Sequence, residues 1–124
     1  MITPIFRIFD IEKAKLFYID FLGFKMDWEH RYEEHMPLYM QISLHDAVIH
    51  LSEHHGDASP GGAIRVKIDN VEDYHSILLN KEYAYSKPDI ERTPWDTMEL
   101  TVIDPFSNRI IFYEEKVWKL RCPK

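Results

Sequence analysis

The chain has 124 residues and a formal net charge of −6, with 45% hydrophobic and 14% aromatic residues. That apolar share fits one compact domain with a real core and excludes a disordered chain, while the acidic balance argues against nucleic acid as a partner, because phosphates need a basic field. No apolar run approaches the roughly 20 residues of a membrane span, and Met1-Ile2-Thr3-Pro4 lacks the marks of a secretory leader, so the expectation is a soluble, cytoplasmic protein with no membrane partner.

Ile2 to Phe9 alternates as a strand. Asp10 follows as an N-cap, because its carboxylate can accept from the first free N–H groups of a helix. Ile11, Ala14, Phe17, Tyr18, Phe21 and Leu22 then recur at helical spacing. Gly23 is placed to end that helix in the left-handed conformation. Strands are predicted at Phe24 to His30, Leu38 to Leu44 and Ala47 to Ser52, with His45-Asp46 as a turn. Glu53 to Gly62 holds Gly56, Ser59, Pro60, Gly61 and Gly62 and reads as a linker.

The pattern then restarts. Ala63 to Asp69 alternates, Asn70 is a second cap, and Val71, Tyr74, Ile77 and Leu78 form a helical stripe. A short strand is predicted near Tyr83 to Ser86, and longer ones at Met98 to Ile103 and Arg109 to Glu114. Asp104-Pro105-Phe106-Ser107-Asn108 is a turn between the last two. Laying Phe6 to Glu12 on Val66 to Glu72 puts cap on cap and stripe on stripe. The fold class is therefore α+β, with two βαβββ units forming a curved mixed sheet around a central cup. The 1–124 chain divides into unit 1 (about 2–53), a linker (54–62), unit 2 (about 63–114) and a tail (115–124) in which Val117, Trp118 and Leu120 are candidates for docking.

Alternation also sorts the strand side chains. Pro4, Phe6, Ile8, Ile49, Leu51, Ile64, Val66, Ile68, Ile110 and Phe112 should face the helices. Thr3, Ile5, Arg7, Val48, His50, Ser52, Ala63, Arg65, Lys67, Arg109, Ile111 and Tyr113 should face the cup or its rim.

The chain resembles the glyoxalase, bleomycin-resistance and extradiol-dioxygenase superfamily, the vicinal-oxygen-chelate fold. The likeness lies in Asp10 to Phe24 with its closing Leu22-Gly23-Phe24, in the Asp104 to Asn108 turn, and in Pro94-Trp95 ahead of Glu99-Leu100. Asp96 and Ser107 stand where the pattern has glycine. Metal-dependent members carry ligands at positions that map by motif to Thr3, His50, Ala63 and Ile111. Only His50 can ligate, and one imidazole does not make a divalent site. The single cysteine, Cys122, adds no multi-cysteine site. The expectation is no metal, no cofactor and no catalytic residue. His54-His55 read as loop residues without a third ligand nearby.

The resemblance implies a small-molecule-binding homodimer, with a bleomycin-type antibiotic as the named ligand. The candidate ligand-binding residues are Trp28, Tyr32, His50, Arg65, Trp95, Glu99, Arg109 and Tyr113. Trp28, Trp95 and Tyr32 offer faces for planar or cationic groups, or alternatively Trp28 or Trp95 packs at a subunit interface. His50 reads either as a pocket acid/base or as a hydrogen-bonded wall. Glu99 reads either as a base in a dry pocket or as a salt-bridged strand residue. Arg7, Arg65 and Arg109 suit a carboxylate or phosphate, whereas the acidic balance suits a cation, so the ligand's charge stays open. The alternatives to sequestration are a lyase, isomerase or dioxygenase of the same superfamily, and a non-catalytic protein-interaction module.

Overall fold

A computed structural model describes residues 1–81, 83 and 88–116. In chain order the elements are β1 (Ile5–Arg7), α1 (Ile11–Lys15), a π-helical segment (Leu16–Phe21), β2 (Lys25–His30), β3 (Tyr39–Leu44), β4 (Ala47–Ser52), β5 (Ala63–Lys67), α2 (Val71–Asn80), β6 (Ile90–Arg92), β7 (Thr97–Ile103) and β8 (Arg109–Glu115). They form two four-stranded sheets, ordered β1-β4-β3-β2 and β5-β8-β7-β6. Each sheet with its helix is one βαβββ unit. By contacts, Met1–Ile64 groups with Ile103–Arg109, and Arg65–Val102 with the chain from Ile110 on.

In the first unit, Asp10 accepts from Lys13 N at 2.9 Å and caps α1 as expected. The predicted single helix is instead α-helical to Lys15 and π-helical from Leu16. The wider turn suits the sequence: Phe17, Tyr18, Phe21 and Leu22 are spaced by four and all are buried. Leu22 N and Phe24 N donate to the carbonyls of Phe17 and Tyr18, and Gly23 closes the segment at φ 88°. Phe6, Ile8, Met40, Ile42, Ile49 and Leu51 complete this core. β1 runs parallel to β4, with Ile5 opposite His50 and Arg7 opposite Ser52.

The Asp104 to Asn108 turn is tied into this unit through buried polar bonds. The Asp104 carboxylate accepts from Tyr18 Oη (2.7 Å), the N–H groups of Phe106 and Asn108 (2.8 Å each) and Asn108 Nδ2 (2.9 Å). The same Nδ2 donates to the carbonyl of Arg7 at 2.9 Å. Burial first, and then the Asp104 charge, hold the Tyr18 phenol far above its ordinary range. Ser107 takes φ 73° and Asp96 φ 62°, so the two residues standing at glycine positions keep the left-handed backbone that glycine would supply.

In the second unit, Asn70 caps α2 by accepting from Asp73 N at 3.0 Å. Glu114 Oε1 accepts from Val71 N at 2.9 Å. Tyr74 packs edge-on against Phe112 with centroids 4.9 Å apart, and burial pushes its phenol up. β6 has no counterpart in the sequence reading; its three residues are placed by pairing with β7, Ile90 opposite Leu100 and Arg92 opposite Met98. The strand predicted near Tyr83 to Ser86 and the stripe of Val117, Trp118 and Leu120 fall largely or wholly outside the described residues.

Strand alternation sorts most side chains as expected. Ser52 is the exception: it is fully buried, because its hydroxyl donates to Asp57 Oδ2 at 2.6 Å and accepts from His54 N at 3.0 Å. The segment after β4 thus covers that end of the strand.

Candidate functional site

Two groups of side chains hold most of the predicted residues, one in each unit. The first lies on the solvent-side face of β2, β3 and β4. Register places Trp28 opposite Gln41, and Gln41 opposite His50. A β-bulge between Met26 and Trp28 adds Asp27 to the same group. Trp28 stacks on Tyr39 (centroids 6.0 Å, planes 14° apart) and meets His50 edge-on at 5.4 Å. Trp28 keeps 43% of its surface exposed.

Beneath these rings runs a chain of hydrogen bonds. Gln41 Nε2 donates to Asp27 Oδ2 at 3.1 Å, and Ser43 Oγ donates to Asp27 Oδ1 at 3.0 Å. Those bonds, the Gln41 bond foremost, hold the Asp27 carboxyl below its ordinary value and therefore ionised. A carboxylate fixes the amide orientation, since the reverse would set a carbonyl oxygen against it. Gln41 Oε1 consequently faces His50 Nε2 at 2.9 Å, so that nitrogen carries the proton. His50 Nδ1 is then a bare acceptor, and Tyr39 Oη donates to it at 2.7 Å. Burial lowers the His50 pKa from its ordinary 6.5, which keeps the ring neutral. Of the two sequence readings, the geometry matches the hydrogen-bonded wall.

This arrangement gives stability a pH signature. A base whose folded pKa is depressed favours the unfolded chain once protons bind. Its contribution is intact above 6.5 and is lost as pH falls through the lower folded value. The depressed carboxyls of Asp27 and Glu99 act only further down, below the ordinary carboxylate range. Denaturation midpoints are therefore expected to fall as the pH drops below about 6.5, and His50→Gln is expected to flatten that limb. An unchanged slope in the variant would assign the effect elsewhere.

The second group lies in the other unit. Glu99 Oε2 accepts from Arg65 Nη2 (2.9 Å), Thr97 Oγ1 (2.9 Å) and Trp95 Nε1 (3.2 Å). The Arg65 guanidinium also lies 4.4 Å above the Tyr113 ring. Desolvation raises the Glu99 pKa, but the bonds from Arg65, Thr97 and Trp95 outweigh it and leave the carboxyl lowered. Glu99 is thus an ion-paired strand residue rather than a raised, proton-accepting base. Trp95 is 62% exposed, carried on the turn that Asp96 completes.

Two predicted residues stand apart. Tyr32, 75% exposed after β2, meets the His30 ring edge-on at 4.9 Å. Arg109 is exposed at the start of β8, its backbone N–H bonded to Gly62. The Arg7 guanidinium donates to the Glu53 carbonyl at 2.9 Å and covers Phe9 at 4.4 Å. Two of the three arginines expected to greet an anion are thus already engaged. Sequence reasoning missed Tyr39, Gln41, Asp27 and Thr97. Tyr39 and Gln41 carried a signal, since they alternate on the strand paired with that of His50.

A shallow groove of about 360 Å³ lies between α1 and β2, lined in part by Ile11, Lys15, Glu29 and Leu38, and none of the predicted site residues lines it. Among the described residues, no cluster of three or more His, Cys, Asp or Glu is placed to hold a metal ion. Among the described residues no helix is long and apolar enough to cross a membrane.

Comparison with known proteins agrees with this architecture. Residues 1–118 match the family described as "Glyoxalase superfamily protein". A bleomycin resistance determinant encoded on the transposon Tn5 superposes with TM-score 0.71 at 13% identity, over 94% of this chain and 98% of that one. A bleomycin-binding protein complexed with bleomycin gives 0.69 at 16% identity, over 94% and 98%. A glyoxalase-related enzyme from Clostridium phytofermentans gives 0.70 at 17% identity, over 92% and 93%. No curated protein matches the sequence significantly.

Proposed function

The chain belongs to the glyoxalase superfamily, and from that premise we propose that it is a metal-free protein that binds and sequesters a small molecule with a flat aromatic part. A bleomycin-type antibiotic is the named candidate, and the working form is a homodimer in the cytoplasm. The observation that carries this reading is the half-exposed Trp28, stacked on Tyr39 and edged by His50 on one open sheet face. Such a face binds planar groups through dispersion and quadrupole attraction. Two structural neighbours are described as bleomycin-binding or bleomycin-resistance proteins, which makes that drug class the first to try.

Proton-transfer chemistry finds less support. Both ring nitrogens of His50 are occupied, by Tyr39 and Gln41. Glu99 is held by Arg65, Thr97 and Trp95. A general base must be free to reach the proton it removes. The metal-dependent route of the fold is set aside because three of its four ligand positions carry Thr3, Ala63 and Ile111.

Titration with metal-free bleomycin, followed by tryptophan fluorescence, tests the drug assignment. A saturable change at micromolar drug is the expected result. No change would remove bleomycin-type ligands while leaving other planar molecules to be tried.

A further inference from the structure

We propose that the second unit carries a separate binding site for a neutral, hydroxyl-bearing ring, a sugar-like vicinal diol, held by Glu99, Arg65 and Trp95. This site does not depend on the Trp28 face, and a failure of bleomycin to bind there would leave it standing.

Glu99 holds an acceptor that meets no donor. Its side chain keeps only 10% of its surface exposed. All three of its hydrogen bonds fall on one oxygen, Oε2, from Arg65, Thr97 and Trp95. The Thr97 hydroxyl and the Trp95 indole have one proton each, and both protons are committed to Oε2. Oε1 accepts from no group among the described residues. A buried carboxylate oxygen is rarely left so, because it has given up water without gaining a partner.

The neighbours of Oε1 decide what kind of donor fits. Arg65 has five N–H groups, one of which goes to Glu99. No acceptor reaches the other four among the described residues, and the guanidinium lies over Tyr113 with the side chain 45% exposed. Oε1 shares its carbon with the oxygen that Arg65 holds, so an empty acceptor and free donors stand side by side. An ammonium would serve Oε1 but set its protons against those of Arg65. A carboxylate would serve Arg65 but set lone pairs against Oε1, and Glu91, opposite Glu99 in register, would repel it further. A hydroxyl both donates and accepts, so neighbouring hydroxyls on one ring satisfy both groups at once. Trp95, 62% exposed and without a ring contact among the described residues, offers the C–H face of such a ring a flat apolar surface. Arg65 and Trp95 both stand partly in water, so the way to Oε1 lies between exposed side chains rather than through the core.

The test uses the full chain, labelled with 15N, and three ring probes of similar size: methyl α-mannopyranoside, cyclohexylamine and cyclohexanecarboxylate. The Trp95 indole N–H and the backbone amides of β7 report on the site. The mannoside is expected to shift them saturably at roughly millimolar concentration, with the amine and the carboxylate at least about tenfold weaker. In Glu99→Gln the amide oxygen must face the three donors, so an NH2 group replaces the free acceptor while those bonds stay. That variant is expected to weaken the mannoside by about tenfold. Trp95→Ala is expected to weaken it by a similar factor and carries the test if Glu99→Gln fails to fold. A mannoside that leaves Trp95 and β7 unmoved, or that shifts Trp28 instead, overturns the diol site. So does a charged ring that binds there as tightly, or undiminished mannoside affinity in either folded variant. Bleomycin titrations followed at Trp28 in the same spectra are scored separately, so the failure of one site is not the failure of the other.

Discussion

Replacing Asp104 with alanine is expected to cost roughly 3–5 kcal/mol of folding stability, the largest effect of any single polar substitution in the first unit. The side chain is 4% exposed and accepts four hydrogen bonds, from Tyr18, Phe106 N, Asn108 N and Asn108 Nδ2. Alanine would strand all of those donors, and each buried orphan costs about 1–3 kcal/mol before any water enters. Tyr18→Phe removes one donor and leaves the acceptor served by the other three, so it should cost only about 1–2 kcal/mol. Asp104→Asn should fall between them. Its amide oxygen can still accept from the two backbone N–H groups, but its amide nitrogen would face Asn108 Nδ2, donor against donor. Urea denaturation would rank the three variants by midpoint at constant slope. A cost below about 1 kcal/mol for the alanine variant would show that the turn does not depend on this carboxylate.

That network also marks the boundary of what the sequence made legible. The Asp104 to Asn108 turn was visible as a turn, because Asp, Pro, Ser and Asn each favour one for a local reason. Its long-range bonds to Tyr18 and Arg7 were not, since nothing in a local pattern names a partner 86 or 101 positions away. The caps Asp10 and Asn70 and the terminator Gly23 were readable because capping is decided within four residues. Period-two alternation recovered the buried residues of β1 and β8 and most of β4, with Ser52 lost to a loop that folds back over it, while Thr97 to Leu100 of β7 are buried without a break. The π-helical segment was not foreseen: an α-helical stripe and a π turn share the spacing of Phe17, Tyr18, Phe21 and Leu22. β6 was missed because a three-residue strand has no period and exists only by pairing with β7.

The candidate residues divided on the same ground. Trp28 and His50 were named separately, but their contact depends on the registers of β2, β3 and β4 and on a bulge at Asp27. A one-residue bulge is invisible to alternation and reassigns a face. Arg65 and Glu99 were each readable as charged strand residues. Their ion pair engages one of the three arginines that had suggested an anionic ligand, and Arg7 is likewise held inside its own unit, whereas Arg109 is exposed. The ambiguity over ligand charge came from counting cations without their partners.

Trp28→Ala is expected to lower the affinity for a planar ligand by about thirtyfold or more, the loss of roughly 2 kcal/mol typical of an aromatic anchor. Folding should suffer far less, by about 1 kcal/mol, because the residue is 43% exposed and its ring contacts are the stack on Tyr39 and the edge-on meeting with His50. The two quantities therefore separate: isothermal titration should collapse while the urea midpoint barely moves. Trp28→Phe should recover part of the affinity, since a smaller ring still offers a face. Trp95→Ala is the informative contrast. It exposes no new cavity, as Trp95 is already 62% exposed, and it removes one of the three donors to Glu99 Oε2 while Arg65 and Thr97 remain. If Trp95→Ala abolished binding and Trp28→Ala did not, the ligand would belong to the second unit, and the open face of β2, β3 and β4 would be reduced to a hydrogen-bonded wall. The reverse result fixes the site on Trp28, beside the hydrogen bonds that link Asp27, Gln41, His50 and Tyr39.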